Sequence, residues 1–434
     1  MRRHARSRGL ARPAFAALLA AGAAAPAAAS EEEIALLRQQ LEALQERLEQ
    51  LETDQAETRD GIEREAVRVG DTPGSFKLPG SDTSVTIGGY VKADAIFDTS
   101  HSLGDTGNVG NIVPGGDEES RFRAHARQTR FNIRTSTPSD WGPVNTLIEG
   151  DFFGGGGNEA FSNSTPFRLR HAYAEVGPIG AGQFWTLFMP IESYPVTVDF
   201  QGPVGIPFIR QAQFRYTHPV NEKLTLAASL ENSEFTGRND AGIFAESVNV
   251  GIRAGVDVAP DAVLAGIWQD DWGLAKLAGV GRVLSSPTGG SDDEEFAWGV
   301  NASGNIALWE GGKLLGSFTY GDGVGRYIVD GFGQDAFVNA SGGLETIESW
   351  GAVAGVSQAI SSQVAAGLTF GHYQVEDTFG PDDLDNLQSV HASLFWRPVE
   401  RVTLGLEALY GRRENADGLD GDNLRLQTAV QVNF

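Results

Sequence analysis

The chain has 434 residues with 57 acidic and 33 basic side chains, a net charge of −24 that repels nucleic acid. It has no cysteine, which excludes disulfides, thiolate metal sites and cysteine nucleophiles. Beyond the amino-terminal region no stretch reaches the roughly 18 consecutive apolar residues of a spanning helix, which leaves a soluble β-protein or a transmembrane barrel, the closed barrel being the other way to satisfy every backbone hydrogen bond in lipid.

Arg2, Arg3, Arg6, Arg8 and Arg12 precede the Ala/Leu-rich run Ala14 to Ala25, and Ala27-Ala28-Ala29-Ser30 follows. A charged n-region, an apolar h-region and an A-x-A site predict a signal peptide over residues 1–29 and a mature chain starting near Ser30. An anchoring helix is the other reading, but Pro26 interrupts the run and alanine is weakly lipophilic. Cleavage leaves 28 basic against 57 acidic side chains, a net charge of −29.

Over residues 30–68, Ile34, Leu37, Leu41, Leu44, Leu48 and Leu51 recur at alternating spacings of three and four, and the seam continues weakly through Gln55, Thr58 and Ile62. This heptad pattern, flanked by Glu, Arg and Gln, predicts a short α-helical coiled coil on the periplasmic side. A helix with so narrow an apolar face favours partners of its own kind. Leucine at both seam positions leaves the strand number open.

Residues 69–81 read as a linker containing Gly70-Asp71-Thr72-Pro73-Gly74, and residues 82–434 as a β-barrel. In the first strand Val85, Ile87, Val91, Ala93, Ala95 and Phe97 alternate with Thr86, Tyr90, Lys92, Asp94 and Asp98, one face for lipid and one for water. In RQTRFNIR, Gln128, Arg130, Asn132 and Arg134 oppose Phe131 and Ile133. The third strand adds Glu149 and Asp151. Arg168 and Arg170 then oppose Phe167 and Leu169, and Gln211, Gln213 and Arg215 oppose Phe214 and Tyr216. Charge on the lipid face costs about 2–4 kcal/mol near mid-membrane, so these guanidinium groups are expected to line the lumen. A basic ladder in a pore filters for anions, although Glu149 and Asp151 also allow purely structural pairing.

The Gly154-Gly155-Gly156-Gly157 run precedes no helix and reads as a flexible loop. Loop 189–209 is rich in proline, glycine and apolar groups, with only Glu192 and Asp199 charged, and is expected to fold into the barrel as a constriction. Other loops are acidic: Asp117-Glu118-Glu119, Asp292-Asp293-Glu294-Glu295, and Asp382-Asp383 with Asp385. Surface solubility explains them, and divalent-cation bridging to lipopolysaccharide is the sharper reading.

In the last strand Leu424, Leu426, Thr428, Val430, Val432 and Phe434 alternate with Arg425, Gln427, Ala429, Gln431 and Asn433. A strand of this kind with a terminal aromatic resembles the insertion signal of outer-membrane proteins. Fifteen strands are read near 84–98, 126–136, 144–153, 167–176, 179–188, 210–218, 222–231, 273–284, 296–304, 312–320, 346–357, 363–375, 388–397, 401–412 and 423–434. Of two further β-like stretches, 245–258 and 262–269, even parity admits one. The short Asp270-Asp271-Trp272-Gly273 echoes Ser139-Asp140-Trp141-Gly142 as a periplasmic turn, so 262–269 is kept and 245–258 joins a long outer loop running from 232 to 260. A barrel of about 16 antiparallel strands results, with an aqueous lumen.

Catalysis has little to work with: the seven histidines are scattered without metal-ligand spacing, and no Gly-x-Ser-x-Gly or phosphate loop occurs. No cofactor is expected and the chain does not read as an enzyme, although a serine on a barrel wall would need no recognisable local motif.

The order of signal peptide, leucine heptads, SVTIGGYVKADAIFD, RQTRFNIRTSTPSDWG, IEGDFFGG, FRLRHAYAEVG, AGQFW and RQAQFRYTHPV resembles the DcaP-like outer-membrane porins over essentially the whole chain. The resemblance implies a homotrimeric porin whose arginine-lined passage favours small anions such as dicarboxylates. By position it makes Arg130, Arg134, Arg168, Arg170 and Arg215 the candidate selectivity residues. Passive, anion-preferring diffusion across the outer membrane is the leading expectation. The competing one is a structural anchor whose coiled coil tethers toward the cell wall.

Overall fold

The computed structural model describes residues 30–65, 67–155, 158, 162–239, 242–245, 258–285, 294–340 and 342–434. The signal region, residues 246–257 of the stretch 245–258, Gly156-Gly157 and Asp292-Asp293 lie outside the described residues. The chain divides into two compact units, Met1–Ala66 and Val67–Phe434.

The first unit holds one helix, α1, Glu31–Glu65. Its start is a capping box: Ser30 Oγ accepts the Glu33 N–H at 3.3 Å and the Glu33 carboxylate accepts the Ser30 N–H at 3.2 Å. The seam leucines Leu37, Leu41, Leu44, Leu48 and Leu51 are 57–67% exposed among the described residues.

The second unit is a closed barrel of sixteen antiparallel strands. The first half comprises β1 (Ser84–Asp98), β2 (Arg121–His125 and Arg130–Thr137), β3 (Val144–Asp151), β4 (Arg168–Val176), β5 (Ile179–Trp185), β6 (Arg210–Pro219), β7 (Leu224–Glu231) and β8 (Asp261–Asp270). The second comprises β9 (Gly273–Ser285), β10 (Glu294–Trp309), β11 (Gly312–Asp322) and β12 (Glu348–Ala359). It ends with β13 (Val364–Val375), β14 (Leu384–Val399), β15 (Val402–Asn415) and β16 (Asp420–Asn433). Each strand pairs with the next, and β16 closes on β1 from Arg425↔Asp98 to Asn433↔Tyr90, so no edge is left open to lipid.

The two-residue period assigns the faces. Along β16, Leu424, Leu426, Val430 and Val432 project outward, while Asn423, Arg425 and Gln427 are buried inside. Short turns at 138–143, 271–272 and 310–311 mark the periplasmic end, since bacterial barrels keep short periplasmic turns and longer outer loops. The expected strand 262–269 is present as β8. Within 245–258 the only described strand residue is the last of Gly242–Ala245, which pairs with Thr236–Asn239 in a separate four-stranded sheet with Ala336–Val338 and Leu344–Thr346.

The first outer loop is shorter than the expected strands 84–98 and 126–136 leave for it. Arg121–His125 already pairs with the outer half of β1, and Arg130–Thr137 pairs with its inner half. Where β2 breaks, the Thr129 side chain replaces the ladder: its hydroxyl accepts the Lys92 N–H at 3.2 Å and donates to the Lys92 carbonyl at 3.3 Å. Opposite the break Gly89 has φ +151°, and a Cβ there would lie 2.1 Å from the Arg130 carbonyl oxygen. The strands come too close for any side chain.

Among the described residues, three outer loops fold inward rather than one. Leu103, Val109 and Ile112 of loop 99–120, Leu187, Phe188 and Val204 of loop 186–209, and Val324, Tyr327 and Ile328 of loop 323–347 form one apolar core. That core packs on wall residues such as Ala227, Val263, Val280, Leu387 and Leu409, which lie on β7 to β15. Burial worth about 25 cal/mol per Å² of apolar surface closes the outer part of that side of the lumen. Open lumen is left along β2 to β6 and, on the periplasmic side of loop 186–209, along β11 to β15.

Candidate functional site

Loop 186–209 has few charged groups of its own, so its backbone must be satisfied by the wall it crosses. The Leu187 N–H donates to Glu231 Oε1 at 2.9 Å, and Lys276 Nζ donates to the Met189 carbonyl at 2.7 Å. Asn305 Nδ2 reaches the Glu192 carbonyl at 3.0 Å. Glu407 accepts the Val198 N–H at 2.7 Å and the Asp199 N–H at 3.2 Å, and is itself held by Ser393 Oγ at 2.5 Å and His391 Nδ1 at 3.2 Å. Lys92 Nζ donates to the Val198 carbonyl at 2.8 Å. On β16, Arg425 binds Asp98 with two bonds of 2.8 and 2.9 Å and approaches Asp199 at 3.5 Å.

Past Gly205 the loop runs beside loop 323–347, with the Val329 N–H donating to the Ile206 carbonyl at 3.0 Å and the Phe208 N–H to the Tyr327 carbonyl at 2.9 Å. Asp330, at φ +64°, ties all three infolded loops together. Its carboxylate accepts the Val109 N–H at 2.8 Å, the Gly110 N–H at 3.4 Å and the Gln201 side-chain amide. Burial pushes this carboxyl up to about 7, against the lowering effect of those three donors. Burial also raises the Tyr194 hydroxyl, with Asp199 and Asp330 adding to the shift.

Facing the loop, β2 to β6 form a basic wall. Arg170 donates to Glu149 Oε1 at 2.9 Å and to Asp151 Oδ2 at 3.1 Å, Arg168 grips Asp151 with two bonds of 2.9 and 2.8 Å, and Arg130 Nε lies 3.5 Å from Glu149. Phe200 reaches across from the loop, its ring centroid 5.1 Å from the Arg170 guanidinium and 5.9 Å from that of Arg168. Arg210 stacks at 4.9 Å on Trp185 and has no acidic partner among the described residues. Arg215 donates to Gln213 Oε1 at 2.9 Å and to the Trp185 carbonyl at 2.6 Å. Six arginines, counting Arg134, therefore stand against three carboxylates: Glu149 and Asp151, both already bonded, and the exposed Glu175 on the same face of β4.

Outside the loop lies a chamber of about 350 Å³ lined by Arg168, Arg210, Arg326, Phe200, Phe208 and Asp105, among others. Asp105 is bound by Arg123 and Arg127, and Asp330 accepts backbone amides, whereas Arg210 and Arg326 have no acidic partner among the described residues. Among the described residues no group of three His, Asp or Glu side chains is placed to hold a metal ion.

The residues singled out by sequence divide into two groups. Arg130, Arg168, Arg170 and Glu149 come together in one cluster, with Arg134 and Arg215 on the same face. Gln211 and Gln213 are buried supports: the first bonds Glu231 and Tyr327, the second the carbonyls of Phe184 and Trp185. Lys92 lies under the loop, away from the arginines, bonded to Gln128, Val198 and Asp94. Arg210 and Arg326 escaped the sequence reading. Strict alternation with Gln211 turns Arg210 outward, but it is the first residue of β6, where the ladder has only begun.

The family model described as DcaP outer membrane protein matches residues 17–434. The crystal structure of the outer membrane channel DcaP of Acinetobacter baumannii is similar at 21% identity and a TM-score of 0.73, over 84% of this chain and 100% of that one. OmpT of Vibrio cholerae is similar in fold at 10% identity and a TM-score of 0.51, over 81% and 98%. Salmonella typhi OmpF, in complex with daunomycin, is similar in fold at 10% identity and a TM-score of 0.52, again over 81% and 98%. No curated protein sequence matches the chain.

Proposed function

From the premise that this chain belongs to the DcaP outer membrane protein family and forms an outer-membrane channel, we propose that it passes small hydrophilic anions, dicarboxylates among them, by passive diffusion along the basic wall. The observation that carries this reading is the surplus of Arg130, Arg134, Arg168, Arg170, Arg210 and Arg215 over Glu149, Asp151 and Glu175 on one side of a narrowed lumen. Low-dielectric walls focus the field of those charges and raise the local anion concentration. Reversal potentials in a salt gradient test it: anions are favoured, more so at low salt, because at 1 M the Debye length falls to about 3 Å. Replacing Arg130 and Arg134 together by alanine shifts permeability toward cations and slows a small dicarboxylate more than a neutral sugar. A wild-type channel that prefers cations at low salt refutes the reading.

The uncovered leucine seam of α1 supports a second element of the proposal, a homotrimer whose helices associate on the periplasmic side after cleavage of the signal peptide. The acidic outer loops, Asp117-Glu118-Glu119 among them, would meet lipopolysaccharide through divalent cations.

A further inference from the structure

On the periplasmic side of loop 186–209 lies a second chamber of about 730 Å³ with a different character. Its roof is Val196 to Val198 of the loop, and Val196 is 69% exposed. Its wall is made of small groups, Ala365 and Gly367 on β13 and Gly405 on β15, with the Phe395 ring on β14. The loop rests directly on this wall: a Cβ at Gly405 would meet Val198 Cγ2 at 2.9 Å, and one at Gly367 would lie 3.7 Å from the Val196 carbonyl oxygen. Lys313 on β11 and Arg397 on β14 point into the same space, are exposed, and have no ion-pair partner among the described residues. Lys92 is the third cation of the lining, already matched by Asp94 at 3.1 Å, and no carboxylate lines the chamber.

We propose that this inner chamber is a binding site for monocarboxylates with an apolar body, the carboxylate held by Lys313 and Arg397 and the hydrocarbon lying against Val196, Ala365 and Phe395. The volume is within the range of small-molecule sites, and the combination of an apolar surface with a few charged groups in the lining is what fixes such a ligand. The proposal rests on the anion passage above, since the solute must reach or leave the chamber past the arginine wall. It adds a discrimination that wall does not make. Bonded guanidinium groups sort solutes by charge, whereas an apolar roof sorts anions of equal charge by chain length.

Single-channel recordings with hexanoate or acetate at equal concentration on both sides test it. Partial burial of four extra methylenes predicts that hexanoate interrupts the current at about one tenth of the acetate concentration or less. Lys313→Gln with Arg397→Gln abolishes the hexanoate interruptions while the salt-gradient reversal potential keeps its sign. Val196→Ser reduces the difference between hexanoate and acetate without removing the acetate response. Equal potency of the two acids, or hexanoate interruptions unchanged in the double variant, overturns the inner site. Failure of the anion passage itself shows separately, as a cation-favouring reversal potential of the unmodified channel in the same traces.

Discussion

Replacing Glu407 by alanine should release the middle of loop 186–209 while leaving the barrel closed. The carboxylate accepts the Val198 and Asp199 amides, and truncation leaves both donors buried without partners. Each orphaned buried donor costs about 1–3 kcal/mol, so docking of this segment weakens by about 2–6 kcal/mol. At 1.4 kcal/mol per tenfold, the Val198 and Asp199 amides should exchange between about 30-fold and about 10⁴-fold faster. The anchors at Leu187, Met189 and Glu192 do not involve Glu407, so their exchange should hardly change. Hydrogen exchange by mass spectrometry on the folded protein, with single-channel conductance on the same preparation, reads both effects. The expected result is local deprotection of residues 196–201 with a larger, noisier conductance. Unchanged exchange at Val198 and Asp199 would refute the clasp, and uniform deprotection of the barrel would show that Glu407 holds the wall rather than the loop.

Arg170→Leu leaves Glu149 and Asp151 short of a buried partner, and removal of one member of such a cluster costs about 3–5 kcal/mol. Its heat-modifiability midpoint in detergent should fall, whereas Arg210→Gln, which breaks no ion pair, should leave that midpoint in place and still weaken anion preference. Asp330 predicts a pH dependence. Its folded value of about 7 lies above the roughly 3.9 of an unfolded aspartate. The stability it contributes is therefore fully present below about pH 4 and lost as pH rises through 7. After correction for intrinsic rates, the Val109 and Gly110 amides should be less protected at pH 8 than at pH 6, and Asp330→Asn should flatten that difference. Deletion of Glu31 to Arg68 should leave a folded, inserted barrel, because closed strand pairing holds it. Failure of the truncated chain to insert, read by membrane fractionation, would give the helix a part in assembly.

The barrel was legible because lipid imposes its rule on every strand. Leu424, Leu426, Val430 and Val432 must face out, and the same period repeats around the ring. Parity and the two Asp-Trp-Gly turns were enough to choose β8 over 245–258. The break in β2 was not legible, since it depends on Thr129 reaching a backbone 37 residues away and on the missing side chain of Gly89. The infolding of loop 99–120 was hidden for a similar reason. Leu103, Val109 and Ile112 are scattered among glycine, asparagine and aspartate, and only the facing loop and wall make them a core. In the candidate site, alternation placed Arg130, Arg168 and Arg170 on one face. It could not separate those arginines from Gln211 and Gln213, whose amides are consumed in holding neighbouring carbonyls and Glu231. Residues that act from loops, Asp330 and Arg326, carry no periodic signal at all.

The anchors of loop 186–209 come from opposite ends of the sequence: Glu231 and Lys276 from the middle of the chain, Lys92 from the first barrel strand, and Glu407 and Arg425 from the last two. The first and last strands meet only at the β16–β1 seam. Three of these five anchors thus lie on the strands at or beside that seam, and contacts of such long sequence separation are slow to form. Sealing the wall is therefore expected to complete the clasp on the loop, so that the narrowed passage belongs to the finished ring.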